Sequence, residues 1–104
     1  MPYLGPKESV IIKERAKCGG TWGEFYLTNK RLIFEHEAGI ITKRIYISLD
    51  VPLGDILALN VEGRFKPKLI VITKSRAGRR EIEVQDPTRW IDKIWKAFHK
   101  FRPE

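Results

Sequence analysis

The side chains best suited to bind a ligand in this sequence are basic ones that cluster in one segment. Positions 64 to 80 contain seven Lys or Arg residues and no acidic residue, whereas the rest of the chain has 13 basic and 13 acidic residues. The whole net charge of +7 therefore comes from this segment. Such an excess suits an anionic partner, which could be a lipid surface, a nucleic acid or an acidic protein. A pair of solvated loops is the alternative interpretation.

The residue types that usually carry catalysis or bind metals are sparse in this chain. His36 and His99 lie far apart and outside any metal-ligand spacing, and Cys18 is the single cysteine. The sequence contains no nucleophile-elbow motif and no phosphate-binding loop motif. In the run Glu35-His36-Glu37, both carboxylates would face away from the imidazole on an alternating strand. We expect a non-enzymatic protein with no metal and no cofactor.

Length and composition favour one globular domain. The chain of 104 residues is 42% hydrophobic and 32% charged, which is typical of a folded protein. No apolar run approaches the roughly 18 residues of a membrane-spanning helix, and residues 1–6 lack the pattern of a secretory signal. A single cysteine fits a reducing compartment. We expect a cytoplasmic protein that can sit peripherally at a membrane, with an extended segment at residues 1–9 and one domain at 10–104.

Residues 25–34 predict the β-hairpin around which the rest of the chain is arranged. Two runs of strand-forming residues flank a polar break at Asn29-Lys30, where Asn tolerates the positive φ that a two-residue turn needs. The register implies two pairs on one face of the sheet and one pair on the other. These are Phe25 with Phe34 and Leu27 with Leu32 on the first face, and Tyr26 with Ile33 on the second.

Further strands and one helix follow from the periodicity of the apolar residues. Alternation predicts strands at 10–18, 22–28, 31–37, 45–51, 56–61, 69–73 and 81–84. At Asp86-Pro87 the period changes, because Asp is a good N-cap and Pro is favoured at the first helical position. Trp90, Ile94 and Phe98 then follow at helical spacing. About seven antiparallel strands and one C-terminal amphipathic helix predict a mainly β fold, a partly open barrel plugged by the helix.

Two stretches of the chain carry a resemblance to a known superfamily. The sequence LTNKRLIF at 27–34 resembles the signature hairpin of the GRAM-type and bacterial-type branches of the pleckstrin-homology-like superfamily. The sequence PLGDI at 52–56 is similar to the corner that links the two sheets in GRAM-like domains. The resemblance implies near-orthogonal sheets with the helix over one open corner and Trp90 packed between them. Members of this superfold bind lipids, bind proteins or act as scaffolds.

The resemblance also implies where an anion would bind. In pleckstrin-homology-like domains the loops between strands one and two, three and four, and six and seven meet at the open end of the barrel. Their basic residues would form one rim that suits phosphate-type groups. The predicted anion-binding residues are Lys17, Lys43, Arg44, Lys74, Arg76, Arg79 and Arg80. A secondary basic patch is predicted at the other end of strand six, and consists of Arg64, Lys66 and Lys68.

The first of these loops departs from the phosphoinositide-binding members of the superfamily. Those members usually carry a spaced run of basic residues across the first loop and second strand, whereas residues 17–22 here read KCGGTW. Unspecific attraction to anionic surfaces is therefore favoured over recognition of one inositide.

An apolar patch is the second candidate site. Alternation along the fourth strand places Ile45, Ile47, Leu49 and Val51 inward and Tyr46 outward. Four large side chains would then lie exposed on the outer face of the first sheet, where they predict a protein interface or a homo-oligomer. These are Trp22, Tyr26, Ile33 and Tyr46. The alternative is that Tyr3 and Leu4, or a neighbouring loop, cover them.

Three classes of partner remain open at this point. An anionic lipid surface or a protein partner is favoured by the basic rim and the apolar patch. Nucleic acid is the main alternative, because the pI is near 9.8 and Phe65 between Arg64 and Lys66 could supply a stacking surface beside phosphate contacts. A self-associating scaffold without a small ligand is the third interpretation.

Overall fold

The strands form a single antiparallel sheet that one helix covers, in a computed structural model that describes residues 3–74 and 78–101. The elements are β1 (Val10–Cys18), β2 (Thr21–Thr28), β3 (Arg31–Ala38), β4 (Arg44–Pro52), a 3-10 turn (Leu53–Asp55), β5 (Ile56–Glu62), β6 (Lys68–Thr73), β7 (Arg79–Glu83) and α1 (Pro87–Lys100). The strand order is β4-β3-β2-β1-β7-β6-β5. The predicted mainly β fold with a C-terminal helix is confirmed, although the two expected sheets are joined where the end of β1 pairs with β7.

The hairpin of β2 and β3 has the predicted register. Phe25 pairs with Phe34, Leu27 with Leu32 and Tyr26 with Ile33. The predicted turn conformation is wrong, because Lys7 is the one non-glycine residue with positive φ in the described ranges. The turn is held instead by the Thr28 hydroxyl, which accepts the N–H groups of Lys30 and Arg31 at 3.0 Å each.

A β-bulge in β4 changes which side chains face the core. Phe34 pairs with Leu49, but the next residue, Glu35, pairs with Ile47. Ser48 is therefore an extra residue on β4, and it shifts the alternation of every position before it in the strand. Alternation read from sequence alone assumes an unbroken ladder, so it places residues beyond a bulge on the wrong face.

The bulge corrects the prediction for the first half of the fourth strand. Leu49 is buried and Val51 is partly buried, as predicted, but Ile45 and Ile47 are exposed. Both isoleucines pair with glutamates of β3, on the face opposite Phe34. Tyr46 instead lies on the same face as Phe34, where it pairs with His36 and stacks on it with ring centroids 5.7 Å apart.

The helix closes the core as the sequence predicts. The Asp86 side chain caps it by accepting the Arg89 N–H at 3.2 Å, and Pro87 opens the first turn. Trp90 is buried, and its ring stacks on Phe25 of β2 with centroids 4.4 Å apart. Ile94 and Ala97 continue the buried stripe of α1. The core thus lies between the curled sheet and one face of the helix.

Polar residues of the hairpin turn hold the segment that precedes β1. Arg31 donates to Glu8 from Nε at 2.9 Å and from a terminal nitrogen at 3.2 Å, and it also donates to the Tyr3 carbonyl at 2.7 Å. The Thr28 hydroxyl donates to Glu8 at 2.6 Å, and the Asn29 amide group bonds Ser9 N–H and Lys7 C=O. Much of the polar part of LTNKRLIF therefore binds the segment that precedes β1 to the hairpin turn.

Candidate functional site

Four basic side chains line one cavity of about 650 Å³ beside the β1–β2 turn. We refer to them as the cationic mouth, which consists of Lys17, Lys68, Arg79 and Arg80. The turn residues Gly19-Gly20 form part of the cavity wall. Glu81 and Glu83 line the same cavity, so two carboxylates partly offset the four cations.

The pairing of three strands brings the two lysines of the mouth together. Lys17 of β1 pairs with Glu83 of β7, and Glu83 also pairs with Lys68 of β6. Directly opposed residues of neighbouring strands lie on the same face, with Cβ atoms about 4.5–5.5 Å apart. Lys17, Glu83 and Lys68 therefore form one row across the sheet. Within the described ranges, neither lysine has an ion-pair partner within 4 Å.

The two arginines of the mouth are held by other parts of the sheet. Arg80 donates to the carbonyl of Ser48, whose position in the bulge takes it out of the regular ladder. Arg79 pairs with Glu62 and lies 3.8 Å from Glu81. These contacts orient both guanidinium groups, and the two carboxylates also offset part of the charge of Arg79. The two lysines are consequently the cations of the mouth most available to an external anion.

The predicted basic rim is only partly assembled at this cavity. Lys17, Arg79 and Arg80 line the mouth together. Lys43, Arg44 and Lys74 are exposed and do not belong to its lining, and Arg76 lies outside the described residues. Lys68, which the sequence places in the secondary patch with Arg64 and Lys66, also lines the mouth. The pairing of Lys68 with Glu83 turns it towards the mouth.

The cysteine beside the mouth is not set up as a nucleophile. Cys18 is partly buried and packs against the core. Burial raises the pKa of its thiol, and the positive charge of Arg80 opposes this increase only in part. A thiol with a raised pKa is mostly protonated near neutral pH and is a poor nucleophile.

The predicted apolar patch on the outer face is smaller than expected. Tyr26 and Ile33 are buried, with 3% and 0% of their surface exposed, so the expectation that they are accessible is wrong. The neighbouring Arg31 bonds the N-terminal segment, which therefore lies along this part of the sheet. Tyr3 is not the cover, because 90% of it is exposed. Of the four predicted residues, Trp22 and Tyr46 remain accessible, but the bulge places them on different faces.

The buried tyrosine on this face is tied to a buried carboxylate. The Tyr26 hydroxyl donates to Glu35 Oε1 at 3.0 Å. Burial, together with the hydrogen bond to Glu35 and the negative charge of Glu35, raises the pKa of Tyr26 to about 12. Nearby, the Arg15 guanidinium lies 5.8 Å from the centre of the exposed Trp22 ring.

One accessible apolar feature was missed in the sequence. Ile40 and Ile41, in the β3–β4 loop at residues 39–43, are 99% and 98% exposed. The signal was present as two adjacent β-branched apolar residues inside a stretch interpreted as a loop. Two adjacent isoleucines usually indicate a strand, so the pattern alone does not mark them as the exposed tip of a loop.

Residues 3–74 and 78–101 contain neither a group of metal ligands nor a membrane-spanning helix. In these ranges no three His, Cys, Asp or Glu side chains are grouped so that they could hold a metal ion. The described helix lacks the length and apolar character needed to cross a bilayer.

Two solved bacterial structures are similar to this chain. One is a DUF1696 family protein with a pleckstrin-homology domain from Shewanella loihica PV-4, with 23% identity and a TM-score of 0.63 over 94% of this chain and 82% of that one. The other is a pleckstrin-homology domain from Shewanella amazonensis SB2B, with 22% identity and a TM-score of 0.59 over 94% and 86%. The chain has a pleckstrin-homology-like fold.

The likeness to these pleckstrin-homology structures concerns the fold alone, because the identities are low. No family model and no curated protein matches the sequence. The GRAM-type branch therefore stays a prediction that rests on LTNKRLIF and PLGDI.

Proposed function

We propose that this pleckstrin-homology-like chain is a non-enzymatic binding module that docks on anionic membrane surfaces through the cationic mouth. The observation that carries the proposal is the row formed by Lys17 and Lys68 on either side of Glu83, in a cavity that Arg79 and Arg80 also line. Two lysines without an ion-pair partner among the described residues are available to phosphate or carboxylate groups outside the protein.

The electrostatics of the mouth favour adhesion over recognition of one headgroup. A Lys or Arg near an anionic membrane contributes about 1 kcal/mol, and the effect decays over about 10 Å at 0.1 M salt. Glu81 and Glu83 in the same cavity would repel a phosphate that entered deeply. Arg79 already has acidic partners. Weak binding that salt reduces, with little preference among anionic lipids, is the expected behaviour.

Nucleic acid or protein partners would bind other parts of the surface than the mouth. Phe65 is 96% exposed between Arg64 and Lys66, which suits a stacked base beside phosphates and would make this loop the binding site for single-stranded nucleic acid. A protein partner would use the exposed Trp22 or Tyr46. Phe65, Trp22 and Tyr46 do not themselves line the mouth, so mutations at these positions separate such partners from membrane docking.

The proposal is tested with two double variants that each remove two positive charges. Lys17→Gln with Lys68→Gln changes the mouth, and Arg64→Gln with Lys66→Gln is the matched control on the β5–β6 loop. Binding is measured by co-sedimentation with vesicles of phosphatidylcholine and phosphatidylserine, and by titration with single-stranded DNA. Glutamine is used because glutamate would place three carboxylates beside one another at Glu83.

We expect the mouth variant to bind vesicles roughly 30-fold more weakly than the wild type, since two cations contribute about 1 kcal/mol each. The control variant should lose much less. Equal losses in the two variants would contradict docking through the mouth. A control variant that loses DNA binding, while both variants bind vesicles like the wild type, would favour nucleic acid instead.

A further inference from the structure

The β3–β4 loop presents two large aliphatic side chains to solvent at adjacent positions. Ile40 is 99% exposed and Ile41 is 98% exposed, whereas the other aliphatic residues of the sheet that are exposed lie at about half that value. Single exposed apolar residues are common on protein surfaces, but contiguous ones usually mark a contact site.

We propose that Ile40 and Ile41 insert into the interfacial region of an anionic bilayer, while the basic residues at their end of the sheet contact the lipid headgroups. This inference rests on the proposed membrane docking and adds an apolar component to it. Two isoleucines that leave water for the acyl boundary contribute a binding energy that salt does not screen.

The loop is built so that the two isoleucines lie at its tip. Ala38 pairs with Arg44, so residues 39–43 extend beyond the last pair of the β3–β4 ladder. Gly39 has a φ of 120°, and a Cβ added to it would lie 2.2 Å from the carbonyl oxygen of Thr42. The loop therefore closes tightly between Gly39 and Thr42, with Ile40 and Ile41 between them.

Cations and an aromatic ring lie at the same end of the sheet as the tip. Lys43 and Arg44 follow the isoleucines and are exposed. Strands β1 to β4 are neighbours in order and run antiparallel, so the β1–β2 and β3–β4 connections lie at the same end of the sheet. The β1–β2 turn lines the mouth. Trp22, 56% exposed, also lies at this end. Such amphipathic rings favour the level of the headgroups.

A lipid surface fits this arrangement better than a protein groove. The apolar element is two residues long, and cations begin after one further residue, Thr42, so its insertion depth is limited to the boundary between headgroups and acyl chains. There, anionic headgroups can satisfy Lys43 and Arg44 while Ile40 and Ile41 leave water. The net charge of +7 supplies the complementary attraction to such a surface.

The test compares two variants. One carries both Ile40→Ser and Ile41→Ser, and the other carries Phe65→Ser alone. Phe65 is 96% exposed in a different loop and serves as the matched control. Binding to vesicles of phosphatidylcholine and phosphatidylserine is measured at low salt, and a thermal melt checks that each variant is folded. We expect the double variant to bind roughly 10- to 100-fold more weakly, and Phe65→Ser to bind like the wild type.

Insertion itself is measured with a dye that reports the polarity around it. The dye is attached to Thr42→Cys in a Cys18→Ala background, and Lys66→Cys in the same background is the control. Emission from position 42 should shift to the blue on addition of the same vesicles, and emission from position 66 should not.

The outcomes separate this inference from the proposed function. A wild type that fails to bind phosphatidylserine vesicles overturns both. If the wild type binds the vesicles and the isoleucine double variant binds them equally well, docking through charge is retained and insertion is overturned. Insertion is also overturned if Phe65→Ser weakens binding as much, or if the dye at position 42 does not respond. The predicted reduction together with the blue shift supports it.

Discussion

The indole Nε1 of Trp90 donates a hydrogen bond to Glu14 Oε1 at 3.1 Å, which ties α1 to β1 across 76 positions of the chain. The other carboxylate oxygen of Glu14 accepts the Gln85 N–H at 2.7 Å, just before the helix begins. Together with the stack of Trp90 on Phe25, these bonds fix both the depth and the orientation of the helix. Glu14 interrupts the apolar face of β1, and its carboxylate accepts hydrogen bonds from α1 and from the segment just before α1.

Trp90→Ala is expected to lower the free energy of unfolding by roughly 3–5 kcal/mol, because it removes a buried ring and leaves a cavity. Trp90→Phe should cost less, since it retains a ring against Phe25 and loses the bond to Glu14. Urea unfolding of both variants and the wild type measures the two effects. An alanine variant of nearly wild-type stability would contradict the role of the helix as the plug of the core.

The sequence was sufficient for the parts of the fold that rest on regular periodicity. Phe25 and Phe34 could be paired because both strands of the hairpin alternate without interruption. The Asp86 cap could be assigned because it precedes a proline and a helical stripe. The face of Ile47 could not be predicted, because the extra residue at Ser48 leaves no mark in the hydrophobic pattern. The burial of Ile33 could not be predicted either, because alternation assigns a side chain to a face of the sheet and does not show whether that face is covered.

Glu8 is expected to make the stability of the protein depend on pH in the acid range. Burial raises the pKa of its carboxyl, but hydrogen bonds from Arg31, Thr28 and the Gly5 N–H outweigh this and lower the pKa to about 2, from 4.5. Between these two values the unfolded chain binds a proton that the folded chain does not. Stability should therefore fall as pH falls through this window, by about 3 kcal/mol in total.

Glu8→Gln isolates this contribution. The variant should be less stable than the wild type at pH 7, and the difference should shrink as the pH approaches 2. Glu24→Gln is the control, because its ion pair with Arg15 is long, at 3.8 Å, and both side chains are exposed. Urea midpoints at several pH values test the prediction. A difference that does not change with pH would show that Glu8 has an ordinary pKa.

Tyr26 should have the corresponding effect in the alkaline range. Burial and Glu35 raise its pKa to about 12, so between pH 10 and 12 the folded chain holds a proton that the unfolded chain releases. Stability should fall as pH rises through this window, by roughly 2–3 kcal/mol. Tyr26→Phe should remove this slope, and Glu8→Gln should retain it. Identical alkaline slopes in the wild type and Tyr26→Phe would contradict the assignment.

Loop position predicted only part of the candidate site, because Lys43, Arg44 and Lys74 were assigned on the same basis and do not line the mouth. Lys17, Arg79 and Arg80 were assigned to one rim from the layout of the superfamily, and all three line the mouth. Lys68 was placed elsewhere, because its position depends on the register of β6 against β7. Two strands can be recognised individually while their relative register stays undetermined.

The most direct test of the account is the binding of the wild-type protein to vesicles across a range of salt concentrations. Vesicles of phosphatidylcholine alone are compared with vesicles that also contain phosphatidylserine. Docking through the cationic mouth predicts clear binding at low salt to the vesicles with phosphatidylserine, weak binding to those without it, and a steep loss of affinity as salt increases. Equal binding to both kinds of vesicle, or no binding to the anionic ones at low salt, would contradict membrane docking.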